Sequence, residues 1–208
     1  MSQLSQFEHG TARTTGDSRE RILDAAGRCV ANVGIARTTL TDVARGAGVS
    51  RMTVYRHYAG VEAILQDLMT REFNAIVDDA VSARPAGGAV TRREIVAGVI
   101  ASLEALTAHP LFGRILTTDA ELLLPYLTER PGRFQSHAEG VLAGALAAGI
   151  ATGEVRDDDP ARLAATIVLA LRGYALTAKD DWSDARRSAV LDDLSRMLDG
   201  LLAGEDAR

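Results

Sequence analysis

The side chains best equipped for chemistry lie between Ser50 and Tyr58, in the run SRMTVYRHY. If this run is helical, Val54 turns inward and Arg51, Met52, Thr53, Tyr55, Arg56 and His57 face out. Hydroxyls, a phenol and guanidinium groups are the donors that meet phosphate oxygens and base edges. Asp42 is the only acidic residue between positions 25 and 61, so little here repels a polyanion. Ser50 to Arg56 makes about 10 Å of helix, a length that lies along a DNA major groove.

Other reactive side chains have plainer explanations. Asp157, Asp158 and Asp159 could form a metal patch, but they read better as a loop whose last member caps a helix and favours its dipole. His109 precedes Pro110 and marks a helix end. His137 lies near an apolar helix face, where it could line a ligand cavity. Cys29, the single cysteine, sits on an apolar face and packs as a small hydrophobe. No Ser/His/Asp set, phosphate loop or short-spaced metal-ligand pair is visible, so neither an enzyme nor a cofactor or metal site is expected.

The elements that would position the outward set are written in Leu40 to Arg56, LTDVARGAGVSRMTVYR. Two helices crossing near a right angle through a short turn need a small residue at the crossing, here Ala44. The turn needs a residue that tolerates positive φ, here Gly48, four places on. Leu40, Val43, Ala47, Val49 and Val54 supply the apolar contacts, and Ser50 can cap the second helix. An ordinary helical hairpin with a polar face satisfies the same spacing. Gly46 inside the first helix costs about 1 kcal/mol of helix propensity.

The longer run TTLTDVARGAGVSRMTVYRHYAGVEAIL resembles the amino-terminal helix-turn-helix of the TetR (tetracycline-repressor-like) transcriptional regulators. Thr53, Val54, Tyr55, Arg56, His57 and Tyr58 fall on that family's aromatic-rich ending of the recognition helix. The likeness is specific over about 17–73 and architectural beyond. It implies a homodimer, a pseudo-palindromic operator and release by a small ligand. Carried over by position, Thr39, Thr41, Arg51, Met52, Thr53, Tyr55, Arg56 and His57 are the expected DNA-facing set. Met52 stands where glycine or proline is frequent, and Val61 where a phosphate-touching lysine is frequent.

The whole chain fits such a protein. Its 208 residues carry a net charge of −5 with 25% charged residues, which excludes bulk nucleic-acid coating and a polybasic anchor. The charge is uneven: +1 over residues 1–73 and −6 over 74–208. Aromatics make up only 4% and alanine is abundant, against an all-β fold. Of 23 basic residues only Lys179 is a lysine, the mark of a GC-rich genome. The near-apolar stretches at 141–151 and 163–171 are far short of the ~20 residues that span a bilayer. No signal-peptide pattern opens the chain, and a reducing cytoplasmic setting is expected.

The periodicity predicts an all-α fold of about nine helices: a three-helix DNA-binding domain over 17–73 (motif about 39–58), after a frayed tail at 1–16, and a helical domain over 74–208. Asp17 and Glu20 have capping-box spacing before the first helix, 18–33. A helix over 61–83 would join the two domains. Helices follow from Thr91, at 111–117, at 120–128 broken by Pro125, from Phe134, over 160–179 and over about 185–203. The last two carry leucines on several faces and are the expected homodimer surface. The proline-broken stretch 110–134 gathers Phe112, Tyr126 and Phe134, with His137 and Tyr174 near, as an expected ligand cavity. The acidic surroundings favour a neutral or cationic effector, whose identity the residues do not specify. The expected function is a ligand-responsive regulator, most simply a repressor, of a double-stranded operator. The alternative is a helical ligand carrier or protein–protein module without specific DNA binding.

Overall fold

The computed structural model describes residues 5–83, 89–118, 132–177 and 182–204, with side chains from position 17 onward. Nine α-helices and no strand occur among these residues. Helix α1 (Ser5–Val33) buries Ile22, Leu23, Ala25, Ala26 and Val30 on one face. It begins well before Asp17, so the tail expected over 1–16 is helical from Ser5 and Asp17 is not its cap. Once the packed turns of 18–33 have nucleated a helix, a polar stretch without proline extends it at little cost. Gly34 ends α1 at φ +87, with its N–H on the Val30 carbonyl, and Ile35 folds back into the core.

Helices α2 (Leu40–Ala47) and α3 (Arg51–His57) follow, then α4 (Val61–Ser82), which buries Ile64, Leu65, Leu68, Met69 and Phe73. Helix α4 packs on α1 and also on α5 (Arg92–Ala108) and α7 (Arg133–Ala151), so it links the two halves, alongside a hydrogen bond from Arg114 to the Ala31 carbonyl of α1. Thr91 and Glu94 form the expected capping box at the start of α5. At His109-Pro110 the chain bends by 60° into α6 (Pro110–Thr118). The helix expected at 120–128, and Tyr126 with it, lies outside the described residues.

Helices α7 and α8 (Pro160–Thr177) pack closely on each other, and α9 (Asp184–Leu202) packs on α5. Asp159 caps α8 by accepting the Ala161 N–H at 2.9 Å, while Asp158 pairs with Arg156 and Arg162. The aspartate run is thus a cap and an ion-pair cluster. Among the described residues no single helix is long and apolar enough to cross a membrane.

Candidate nucleic-acid interface and internal cavity

The α2–α3 pair is built as its spacing predicts. Thr39 caps α2 by accepting the Asp42 N–H at 3.2 Å and donates its hydroxyl to the Asp42 carboxylate. Gly48 closes α2 at φ +64, and a Cβ there would meet the Arg21 guanidinium at 3.0 Å. That guanidinium donates to the Ala47 and Gly48 carbonyls, holding the turn against α1. Gly46 has its own reason: a Cβ would lie 3.3 Å from that of Ala25, so glycine lets α1 and α2 approach. Its carbonyl accepts from Arg28 at 3.0 Å.

Ser50 caps α3 through the Thr53 N–H at 3.0 Å, and the two hydroxyls share a 2.9 Å hydrogen bond. Val54 and Tyr58 anchor the helix in the core, and the Tyr58 phenol accepts from Arg19 Nε at 3.2 Å. Burial raises the Tyr58 pKa, partly offset by Arg19. With that side inward, Met52 and Tyr55 are left 75% and 55% exposed, far more than such apolar side chains usually are. Arg51 and Arg56 are exposed beside them, with no carboxylate partner among the described residues. Thr41 is half-buried, and His57 is half-buried with its ring tilted against Tyr58. Of the expected outward set, Arg51, Met52, Tyr55 and Arg56 are exposed on α3; Thr41, Thr53 and His57 are half-buried, the Thr39 and Thr53 hydroxyls are engaged at the helix caps, and the His57 Nε2 is shut off from solvent without a hydrogen-bond partner among the described residues.

The second half holds a half-open cavity of about 580 Å³ between α4, α5, α7 and α8, with Phe112 of α6 on its wall. Phe112 and Phe134 line it, as expected. Phe73, which the sequence reading passed over, holds them together: its ring meets Phe112 and Phe134 edge-on at 5.8 and 5.6 Å. His137 and Tyr174 are not among the lining residues. His137 Nε2 lies 2.8 Å from the Asp78 carboxylate, tying α7 to α4 at the surface. Tyr174 turns toward α9, its ring edge-on to Trp182 at 6.0 Å, because the inward face of α8 belongs to Ile167, Leu171 and Ala175. Half of the wall comes from α4 and α5, whose apolar residues read as ordinary core by periodicity alone.

One carboxylate joins this cavity to the DNA-binding half. Asp67 on α4, with its side chain 10% exposed, accepts from Arg19 of α1 on one oxygen and from Arg133 of α7 on the other. Burial pushes its pKa up, but the two guanidinium hydrogen bonds outweigh that and hold it below the usual carboxylate range. Arg19 also holds Tyr58 behind the recognition helix, and Arg133 lines the cavity. Arg71 adds a second junction, donating to Glu20 and Asp24 of α1 at 2.9 and 2.8 Å.

Two family descriptions match the chain: bacterial regulatory proteins of the tetR family over residues 22–68, and the tetracyclin repressor-like C-terminal domain over 92–201. An HTH-type transcriptional regulator of Mycobacterium bovis is 32% identical over 186 residues, covering 89% of this chain and 95% of that protein. The regulator EthR of Mycolicibacterium smegmatis is 32% identical over 108 residues, 50% of this chain and 48% of that one. The crystal structure of a TetR-family regulator from Pectobacterium atrosepticum aligns with a TM-score of 0.71 at 22% identity, covering 92% of this chain and 97% of that one.

Proposed function

Since the chain belongs to the TetR family and is a helix-turn-helix transcriptional regulator, we propose that it acts in the cytoplasm as a repressor released by a small molecule. The observation that carries this reading is the outward face of α3. An exposed methionine and tyrosine beside two arginines without carboxylate partners make a surface that water alone does not favour. One seven-residue helix reads about 4–6 base pairs, too few to single out a genomic site. A homodimer with two such helices reads a pseudo-palindrome. Leu169 on α8 and Met197 on α9, 63% and 48% exposed, support these helices as the subunit contact.

The effector occupies the cavity beside Phe73, Phe112 and Phe134, and its volume falls in the ~300–1,000 Å³ range of small-molecule sites. It acts because it prefers the arrangement of α4 that spaces the two recognition helices wrongly; equal affinity for both arrangements would shift nothing. The Arg133–Asp67–Arg19 chain supports α4 as that moving part. We assign the chain no catalytic role.

Operator fragments selected from genomic DNA, bound by wild type and variants across a salt titration, test the reading. Tyr55→Ala and Thr53→Ala are expected to lose about tenfold or more in specific affinity while non-specific binding stays. Arg56→Ala is expected to weaken all sequences alike and to reduce the log–log salt slope by about 1. Wild-type binding by both classes would overturn the assignment of α3.

A further inference from the structure

Among the described residues that line the cavity, three carry full charges: Glu94, Arg133 and Arg172. Two are already committed. The Glu94 carboxylate accepts the Thr91 N–H at 2.9 Å and its hydroxyl at 2.7 Å. Arg133 donates to Asp67. Arg172 is different. The residue is half-buried, and its Nε is shut off from solvent with no hydrogen-bond acceptor or paired carboxylate among the described residues. It stands five residues before the end of α8, and the same cavity is lined by Phe134, Ala138, Leu171 and Ala175.

A buried guanidinium nitrogen without an acceptor is unfavourable, more so when charged, so such groups are normally completed by a partner. The cavity wall is mainly apolar, so a bound ligand is the natural source of that partner. We propose that the effector is an amphiphile with an aliphatic or aromatic body and one anionic head, a carboxylate, and that Arg172 holds the head. The planar guanidinium takes a carboxylate through two parallel hydrogen bonds, which a hydroxyl or an ammonium cannot match. This rests on the cavity being the effector site. It also reverses the expectation from net charge. The −6 over residues 74–208 is carried largely by surface carboxylates, screened within about 10 Å, whereas Arg172 acts at contact distance.

Three ligands with one tail and different heads separate the terms: decanoate, decanol and decyltrimethylammonium, each below its micelle concentration, titrated calorimetrically into the full-length protein. Decanoate is expected to bind about tenfold to a hundredfold more tightly than decanol, and the cation most weakly, the discrimination due to a hydrogen bond with a charged partner. Arg172→Met is expected to erase the preference while decanol affinity holds, and Arg172→Lys to restore part of it. If Arg172→Met does not fold, the head-group series on wild type and Arg172→Lys decides. Equal affinity for the three heads, or an unchanged preference in Arg172→Met, overturns the proposal while leaving the cavity reading intact. Ala138→Trp, which fills the cavity, tests that reading separately. Binding that survives it, or no binding of any of the three, overturns the cavity as the amphiphile site and this proposal with it.

Discussion

Asp67→Asn removes one negative charge and nearly no volume, so it isolates the electrostatic part of the junction between the two halves. Asparagine keeps one acceptor oxygen but offers the second guanidinium an amide NH₂. The loss is bounded from both sides. Hydrogen bonds to charged groups contribute about 1.5–3 kcal/mol each when well shielded, and exposed ion pairs about 0.2–1 kcal/mol. Asp67 is only 10% exposed, but Arg19 and Arg133 are 51% and 60% exposed and swing into water once released. About 1 kcal/mol per pair, about 2 kcal/mol in all, is the expected destabilisation. For a chain of this length each kcal/mol moves Tm by about 2–4 °C, so a fall of about 4–8 °C is expected at pH 7. The Asp67 pKa is depressed in the folded state, so its contribution is present above the ordinary carboxylate pKa and lost as pH falls through the folded value. The gap between wild type and Asp67→Asn therefore holds above the ordinary carboxylate range, narrows as pH falls through it, and closes only once the depressed folded value is passed.

The same carboxylate predicts how its two arginines behave together. Either single truncation, Arg19→Ala or Arg133→Ala, leaves Asp67 one partner, whereas the double variant leaves a nearly buried carboxylate with none. The double loss should exceed the sum of the singles by about 0.5–1.5 kcal/mol, and the excess should vanish in the Asp67→Asn background. Denaturant titrations of the eight combinations measure it. Additivity in both backgrounds, or an unchanged Tm for Asp67→Asn, refutes the reasoning. Energetic connection between α1 and α7 through α4 would then have to run through apolar packing and the separate Arg71 and His137 contacts.

Gly48→Ala forces an L side chain to φ +64 and against the Arg21 guanidinium at 3.0 Å. A loss of about 1–2 kcal/mol is expected, with Gly48→Asn milder because asparagine tolerates the left-handed region; matched melting curves decide, and equal melting of all three contradicts the turn geometry. Leu169→Arg changes a residue 63% exposed in the single chain, so it should fold with wild-type stability as a monomer. Sedimentation at micromolar concentration is expected to give a halved mass and operator binding at least tenfold weaker; an intact dimer excludes Leu169 from the subunit contact.

What could be read from the residues divides by how local the cause is. The turn between α2 and α3 is specified within a few positions: Ala44 at the crossing, Gly48 at positive φ and Ser50 as cap each answer a demand set by neighbours in the chain. So do the Thr91–Glu94 box and the Asp159 cap. The start of α1 was misplaced because Asp17 with Glu20 has the spacing of a cap, and spacing cannot say whether a helix already arrives from upstream. Gly46 reads as a weak point by helix propensity, because the reason for it, Ala25, packs against it from 21 positions away. The cavity follows the same rule. Aromatic clustering near the prolines finds Phe112 and Phe134, but the same reasoning draws in His137 and Tyr174, whose partners are Asp78 on α4 and Trp182 in the bend before α9. Phe73 and Arg172 went unnoticed because a phenylalanine in an apolar register and an arginine on a helix are both unremarked by pattern. Only the packing of α4, α5, α7 and α8 around one empty volume gives them meaning. A divergent effector domain is expected to behave this way. Its apolar periodicity is fixed by the need to fold, while a side chain such as Arg172, proposed to hold the ligand's head, is placed by contacts with no signature along the chain.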